Sequence, residues 1–306
     1  MVIFPQIVYW QRKSFDSMKK GLFYFACITL LSLSAIAQPS TEVYLFDLKA
    51  NGGEMSISNP INVSSNPGRY DNQPSFSQKT GELFFVSQDA TPQIDIFIYN
   101  PARGTKTNFS NNASNEYSPT LTPDGKYISC IREVDGTQLL WKFPIRKGEP
   151  AIVVPDLVIG YHAWRDDNTL VSFVLGDPQT LQVSDLLAKT NKVVASNIGR
   201  SIHKIPGGNL ISFLQNRKGR PALIQSLDTE TGKIETICEA MEGSQDMAWT
   251  PKGEIIMGQG SKLFVWSPAT KGWVEAADLG ATFQLNSITR LAVSPKGDKL
   301  AVVVNE

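Results

Sequence analysis

The chain has 306 residues, of which 42% are hydrophobic and 19% charged, enough to bury one large core or two small ones. Its 29 basic and 29 acidic residues give a formal net charge of zero. This balance argues against a nucleic-acid-binding protein, because such proteins normally carry a basic surface. Aromatic and β-branched residues are frequent, and we therefore expect strands rather than long helices.

The first element along the chain has the layout of a secretory signal peptide. A basic start at residues 18–20 precedes an almost uncharged apolar run at 21–37, which ends in a small-x-small cleavage pattern. We predict a signal peptide over residues 1–37, with Met18 as an alternative translation start. The mature chain, residues 38–306, is then exported to the periplasm or secreted. The alternative is an uncleaved membrane anchor, although the run is at the short end for spanning a bilayer.

Two cysteines, Cys130 and Cys238, follow this segment, each in an apolar and strand-like context. The repeat described next places them in units that are not adjacent. We therefore expect small buried thiols rather than a disulfide, even in an oxidising compartment. Cys27 lies within the apolar run, whereas a lipoprotein needs its cysteine directly after the cleavage site.

A repeated strand–turn–strand motif is the strongest pattern in the sequence. Each copy has a large apolar residue just before its turn, and these six anchor residues are Phe76, Leu121, Trp164, Ile205, Trp249 and Val293. Their spacings of 45, 43, 41, 44 and 44 residues indicate one structural unit that is used six times.

The turn that follows the anchor carries the residues that a tight turn needs. In residues 122–125, the proline presets φ at the first turn position, aspartate favours the next, and glycine supplies the left-handed residue. Residues 250–253 and 294–297 repeat this pattern. The third unit lacks the glycine, and there we expect Asn168 to take the left-handed place.

Each turn is followed by an apolar second strand, then by a third strand and a weaker fourth. Four short antiparallel strands in each repeat are typical of a β-propeller blade. The sixth unit stops after two strands, and we predict that residues 42–49 and 60–65 supply its third and fourth strands. The N-terminus then completes the last blade and closes the ring, which removes exposed sheet edges. The sequence thus predicts an all-β, six-bladed β-propeller over residues 38–306.

The repeat, clearest at residues 119–128, 249–255 and 293–300, resembles the TolB-type propeller repeat, a relative of the WD-repeat. The resemblance covers roughly residues 42–306. It implies a periplasmic or secreted binding or scaffold protein, although the same blades also form the front domain of prolyl oligopeptidase-type hydrolases. TolB carries an additional α/β domain before its propeller, and we expect that domain to be absent here. We also expect no hydrolase domain, so neither the Tol role nor the peptidase role carries over.

Motifs for catalysis and metal binding are sparse. G-x-S-x-G, H-E-x-x-H, the P-loop and the acidic calcium loop do not occur. His162 and His203 both lie two residues before an anchor position, in adjacent units, so a shared metal site is one interpretation. Packing between blades is the other, because this position is mostly apolar elsewhere and a site normally needs three or four ligands. We favour packing, and expect no metal and no cofactor.

A binding site is predicted from geometry, at the rim formed by the loops that enter the innermost strands. Positions three to five before each anchor are polar there and carry both charge signs. The predicted ligand-binding residues are Asp71, Asn72, Gln73, Glu116, Tyr117, Tyr161, Arg200, Ser201, Gln245, Asp246, Thr289 and Arg290. The alternative is a solvated rim without a ligand.

These observations favour an exported, monomeric, non-catalytic scaffold that binds a protein, peptide or carbohydrate through the funnel. Neither a nucleic-acid partner nor a membrane span in the mature chain is expected. The alternative is a hydrolase or lyase acting on glycans or peptides at the same rim. Three or more ionisable side chains within about 4 Å of one another around a deep pocket would favour the enzyme, because acid–base catalysis needs that proximity.

Overall fold

The structure is a computed structural model of the chain and describes residues 39–51, 54–89 and 92–306. The predicted signal peptide, with Met18 and Cys27, lies outside the described residues. Within these three ranges, no helix is long and apolar enough to cross a membrane.

The described residues form six antiparallel four-stranded sheets, which are arranged as blades in a ring. The chain opens with β1 (Thr41–Asn51) and β2 (Glu54–Asn62), which belong to blade 6. Blade 1 consists of β3 (Asp71–Phe76), β4 (Leu83–Ser87), β5 (Asp95–Asn100) and β6 (Thr105–Asn108). Blade 2 consists of β7 (Asn115–Leu121), β8 (Tyr127–Val134), β9 (Thr137–Pro144) and β10 (Ala151–Val154).

The remaining blades repeat this plan. Blade 3 consists of β11 (Ile159–Trp164), β12 (Thr169–Val174), β13 (Thr180–Asp185) and β14 (Thr190–Ser196). Blade 4 consists of β15 (Ile198–Lys204), β16 (Ile211–Arg217), β17 (Arg220–Leu227) and β18 (Ile234–Glu239). Blade 5 consists of β19 (Met247–Trp249), β20 (Ile255–Gln259), β21 (Lys262–Trp266) and β22 (Trp273–Asp278), and blade 6 adds β23 (Ile288–Val293) and β24 (Lys299–Asn305). The prediction of six blades is confirmed.

The two ends of the propeller share blade 6. Strand β1 pairs antiparallel with β24, with Tyr44 opposite Val302, and the strand order in this sheet is β2-β1-β24-β23. The predicted closure of the ring is therefore confirmed. The predicted fourth strand was misplaced, since β2 covers Glu54–Asn62 instead of residues 60–65. Only two residues separate the end of β1 at Asn51 from the start of β2 at Glu54, so β2 begins six residues before the predicted position.

The turn at residues 122–125 has the predicted geometry. Gly125 has a φ of 70°, which suits glycine, and its N–H donates to the carbonyl of Thr122 at 2.8 Å. The prediction for Asn168 was wrong, because its φ is not positive. Instead, Oδ1 of Asp166 accepts from the backbone N–H of Asn168 at 2.9 Å and of Thr169 at 2.8 Å, so a side chain closes this turn.

The apolar core lies between neighbouring blades. In the interface of blades 5 and 6, for example, Phe46, Ile256 and Val302 are fully buried in one cluster. Burying a large apolar side chain contributes about 1.5–3 kcal/mol. The blades therefore stabilise one another by stacking around the ring.

Tryptophan–serine hydrogen bonds join some of the blades. The indole N–H of Trp164 donates to Oγ of Ser129 in the preceding blade at 2.8 Å, and that of Trp249 donates to Oγ of Ser212 at 2.8 Å. Ser172 is the equivalent serine of blade 3, but the anchor of the next blade is Ile205, which has no donor to offer. Oγ of Ser172 is buried without a hydrogen-bond partner among the described residues.

A short helix, α1 (Leu279–Phe283), lies between β22 and β23 and was not predicted. Asp278 caps its N-terminus by accepting from the N–H of Gly280 at 2.9 Å and of Ala281 at 3.1 Å. The ring of Phe283 packs on Phe46, with 5.3 Å between their centroids. The helix thus covers one end of the core between blades 5 and 6.

Both cysteines of the propeller are free thiols. Cys130 is fully buried on β8, and Cys238 is half-buried on β18, two blades away. Burial raises the pKa of both thiols, that of Cys238 to about 12. They are therefore protonated at neutral pH and unreactive as thiolates.

Candidate functional site

A funnel of about 680 Å³ runs along the axis of the ring. Its wall is formed by the innermost strands, and all six anchor residues line it. The funnel reaches the turns that follow these strands, where Pro123 and Pro251 are exposed. It therefore opens at the end of the ring where the innermost strands finish, not at the end where they begin.

Four side chains close the inner end of the funnel, and we call them the floor cluster: Tyr161, Arg200, Asp246 and Arg290. Nη2 of Arg290 donates to Oη of Tyr161 at 3.1 Å, and Nη1 of the same residue lies 3.5 Å from Oδ2 of Asp246. Nε of Arg200 lies 4.0 Å from the same carboxylate oxygen. The four residues come from blades 3, 4, 5 and 6, so only the closed ring brings them together.

Backbone groups hold the floor cluster in place. Oδ1 of Asp246 accepts from the N–H of Leu291 at 3.0 Å, which fixes its carboxylate between the two guanidinium groups. Nη2 of Arg200 donates to the carbonyl of Thr289 at 2.7 Å. The ring of Tyr161 lies 5.2 Å from the Arg290 guanidinium and packs edge-on against Phe173.

The floor cluster carries a net positive charge, because two guanidinium groups face one carboxylate. Burial and the neighbouring Arg290 lower the pKa of Arg200. Burial also acts to lower the pKa of Arg290, but Asp246 and Tyr161 outweigh it and the pKa is raised. Both arginines stay protonated at neutral pH, so the site presents fixed positive charge.

Two lysines add positive charge near the mouth of the funnel, and we call them the mouth lysines: Lys79 and Lys204. Nζ of Lys79 donates to the carbonyl of Asp124, and Nζ of Lys204 donates to the carbonyl of Arg165 at 2.6 Å. Among the described ion pairs, neither lysine has a carboxylate partner. Their charge is therefore not neutralised locally, whereas Arg165 is paired with Glu230.

The predicted ligand-binding residues fall into three places. The first group lines the funnel: Gln73, Tyr161, Arg200, Ser201, Asp246 and Arg290. The second group, Gln245 and Thr289, lines a smaller cavity of about 340 Å³. Arg200, Asp246 and Arg290 line both cavities and therefore lie between them. The third group lines neither cavity: Asp71, Asn72, Glu116 and Tyr117.

The third group lies inside the wall of the ring. Asp71 and Glu116, five residues before their anchors, are fully buried, and Asn72 is 6% exposed. Oε1 of Glu116 accepts from Nδ2 of Asn112 at 3.0 Å and lies 3.5 Å from Nε of Arg132. Burial raises the pKa of Asp71 and that of Glu116 to about 7. Burial also raises the pKa of Tyr117 to about 12.

The two histidines take part in packing contacts. Nε2 of His162 lies 2.8 Å from Oγ of Ser129, and Nε2 of His203 lies 2.8 Å from Oγ of Ser201. Burial lowers the pKa of both imidazoles, that of His162 to about 3, so they are neutral at physiological pH. In the described part of the chain, no group of three or more His, Cys, Asp or Glu side chains is placed to hold a metal ion.

The mouth lysines and the anchor side chains were not among the predicted site residues. Lys79 follows an anchor and Lys204 precedes one, so each lies beside the turn that ends an innermost strand. The prediction placed the site where these strands begin, and therefore did not consider the turn end. Cationic residues next to the anchors were the available signal.

Solved structures show the same fold at low sequence identity. A protein assigned as TolB from Agrobacterium tumefaciens superposes with a TM-score of 0.64 at 13% identity, over 88% of this chain and 99% of that one. TolB from Acinetobacter baumannii gives 0.54 at 13% identity, over 87% of this chain and 64% of that one. Oligogalacturonate lyase from Vibrio parahaemolyticus gives 0.52 at 10% identity, over 88% and 98%.

These likenesses establish the fold, which is that of a TolB-type six-bladed propeller. No protein-family model matches the chain, and no curated protein matches it in sequence. Because TolB proteins and a lyase share this fold, the fold alone does not assign a function.

Proposed function

We propose that the protein is an exported, monomeric scaffold that binds a segment of a partner molecule in its axial funnel, without catalysis. The observation that carries this proposal is the funnel, a cavity of about 680 Å³ with large apolar side chains in its wall and a charged floor. Binding pockets typically have volumes of about 300–1,000 Å³ and combine apolar walls with a few convergent polar groups. The TolB proteins among the structural neighbours are consistent with a non-catalytic role.

The chemistry of the floor cluster also supports binding over catalysis. Guanidinium groups keep their protons at neutral pH, so neither Arg200 nor Arg290 is suited to act as a general acid or base. The imidazole of His203 is neutral, because desolvation lowers its pKa. A cluster of this composition is better suited to holding an anionic group than to moving protons.

An enzyme that acts on an acidic saccharide is the second candidate. The floor cluster comes near to the geometric condition for it, since Arg200 and Arg290 each lie within 4.0 Å of Asp246 at the bottom of the funnel. The phenol of Tyr161, next to Arg290, is the group that could exchange a proton with a substrate. Two oligogalacturonate lyases, one of them in complex with manganese, share the fold.

A funnel-blocking variant tests the proposal. Thr120 lines the funnel on β7, and Thr120→Trp places a large side chain in it. Thr107→Trp makes the same change at an exposed position on β6 and is the matched control. Wild type and both variants are immobilised and used to capture molecules from an envelope extract, which are then identified by mass spectrometry.

We expect one partner to be retained by wild type and by Thr107→Trp, and lost with Thr120→Trp. Equal capture by all three proteins contradicts binding in the funnel. The same proteins are then incubated with acidic oligosaccharides, and new reducing ends are measured. Turnover by wild type that Thr120→Trp abolishes supports the second candidate instead.

A further inference from the structure

The floor cluster has one more positive than negative charge, and its side chains are largely shielded from water, where an uncompensated charge costs free energy. The side chains of Arg290 and Asp246 are 11% and 12% exposed, and that of Arg200 is 27% exposed. Two partly desolvated guanidinium groups share one carboxylate there. Removing a charge from water costs free energy unless an opposite charge compensates it. One further negative group at the floor would neutralise the cluster.

The two arginines have donors to spare for such a group. Each guanidinium has five N–H bonds, and Nε of Arg200 is buried without a hydrogen-bond partner among the described residues. The contact between Arg290 and Asp246 is an ion pair at 3.5 Å, longer than a charge-assisted hydrogen bond. Both arginines line the funnel, and the exposed 27% of the Arg200 side chain and 11% of the Arg290 side chain are the parts that a ligand can contact. The planar fork of arginine matches a carboxylate.

The rest of the funnel favours an anion as well. Among its lining residues, Asp246 is the single carboxylate, whereas five are cationic: Lys79, Arg165, Arg200, Lys204 and Arg290. Glu230, outside the lining, neutralises Arg165, and the other four still outnumber the one carboxylate. The whole chain has 29 basic and 29 acidic residues, so this excess is local. A cleft lined by one sign of charge attracts ligands of the opposite sign. An anionic ligand that enters the funnel therefore passes the mouth lysines before it reaches the floor arginines.

We propose that the floor cluster is a carboxylate-binding site and that the ligand is an acidic peptide segment. This inference rests on the proposed binding in the funnel. The carboxylate is bound between Arg200 and Arg290. The wall between the floor and the mouth contains large apolar side chains, including Leu121, Ile205 and Val293, among polar ones such as Gln73. A peptide supplies apolar side chains for this wall beside its acidic group. A saccharide has no aliphatic side chains to place against Leu121, Ile205 and Val293.

Labelled peptides test this assignment. The probes are a fluorescent hexapeptide of alternating leucine and glutamate, its counterpart with glutamine, a uronate trisaccharide and a neutral trisaccharide. Fluorescence anisotropy gives the Kd of the glutamate peptide, and competition against that peptide gives the Kd values of the other three probes. We expect the glutamate peptide to bind about tenfold or more tightly than the glutamine peptide, since charge-assisted hydrogen bonds to an arginine pair are lost in the latter.

Variants of the floor cluster identify the site. The double variant Arg200→Gln/Arg290→Gln should reduce binding of the glutamate peptide to the level of the glutamine peptide. Arg103→Gln/Arg220→Gln removes the same charge from exposed positions and should leave this preference intact. Arg290→Lys retains the positive charge but lacks the planar, paired N–H donors of the guanidinium group. This variant replaces the double variant if the double variant does not fold. It should lose most of the preference.

Three results overturn the proposal. Equal binding of the two peptides, abolished by Thr120→Trp, rejects the carboxylate site but leaves binding in the funnel intact. Tightest binding of the uronate trisaccharide, with the same dependence on arginine, rejects the peptide. Absence of binding of all four probes at millimolar concentration rejects this inference alone, because the capture experiment with Thr120→Trp decides independently whether the funnel binds a partner.

Discussion

The hydroxyl of Tyr161 on β11 accepts a hydrogen bond of 3.1 Å from Nη2 of Arg290 on β23, and these two strands lie on opposite sides of the ring. The residues are 129 positions apart in the chain. Their contact crosses the axis between the funnel and the smaller cavity. It therefore closes the central channel and joins blades 3 and 6, which do not pack against each other.

Tyr161→Phe removes this hydrogen bond across the axis and retains the aromatic ring on Arg290. We expect the free energy of unfolding to fall by about 1 kcal/mol, the usual net contribution of one such bond. Urea denaturation of both proteins measures the change. Tyr127→Phe is the control, because the hydroxyl of Tyr127 forms no hydrogen bond among the described residues. An equal loss in both variants would show that the contact across the axis contributes nothing.

Ser129→Ala should be clearly destabilising, whereas Ser172→Ala should not. Oγ of Ser129 accepts from the indole of Trp164 at 2.8 Å and donates to the carbonyl of Thr120 at 3.0 Å. Its removal leaves buried polar groups unpaired, at a cost of about 1–3 kcal/mol. Oγ of Ser172 is buried without a partner among the described residues, so its loss should be neutral or stabilising.

Thermal denaturation of the two alanine variants measures this difference. Both serines are fully buried and occupy equivalent positions in blades 2 and 3, so the comparison is matched. If Ser172→Ala is as destabilising as Ser129→Ala, the tryptophan–serine bond does not account for the cost.

Asp71→Asn should stabilise the protein in a pH-dependent manner. Burial raises the pKa of Asp71 from 3.8 to about 7. Between about pH 4 and pH 7 the folded chain holds a proton that the unfolded chain has lost, so its stability falls as the pH rises. Asparagine removes this penalty. We expect a gain of about 2–4 kcal/mol near pH 8 and little change near pH 4.

Urea denaturation across this pH range tests the prediction for Asp71. Asp156→Asn changes an exposed aspartate and serves as the control, with no expected dependence on pH. A gain for Asp71→Asn that is the same at both ends of the range would refute the assignment of the penalty to a titrating carboxyl group.

Phe46→Ala tests the closure of the ring. Phe46 lies on β1, is fully buried and packs on Phe283. The change should reduce the free energy of unfolding by about 3–5 kcal/mol, the usual cost of removing a buried phenylalanine side chain. Val193→Ala, at a site that is 57% exposed, should change it by less than about 0.5 kcal/mol. Thermal and urea denaturation give both values, and a small effect of Phe46→Ala would show that blade 6 contributes little.

The fold could be predicted because its signals are local and repeated. An anchor such as Leu121, followed by proline and glycine, specifies a strand and a turn within a few residues, and six copies make the ring evident. The shifted strand β2 and the helix α1 were missed because each occurs once. The N-cap Asp278 was a usable signal for the helix, but a single cap is weak without a longer periodic pattern.

The site was harder to predict because its contacts are not local. Sequence spacing placed Tyr161, Asp246 and Arg290 near the axis. It did not predict that Arg290 contacts both Tyr161 and Asp246, which belong to other blades. Spacing also gave no indication that Asp71 and Glu116 point into the wall, because polar residues five positions before an anchor suggest exposure. Their burial depends on how adjacent blades pack.

The pairing of β1 with β24 has a consequence for biogenesis. The ribosome synthesises β1 before the other described strands and β24 after them, and roughly 250 residues separate the two. Until β24 has been synthesised, the edge of β1 that pairs with it has an unsatisfied row of backbone donors and acceptors, which can pair with a foreign strand. Blade 6 can therefore form completely only after β24 has emerged from the ribosome, and shielding of the β1 edge is favoured until then.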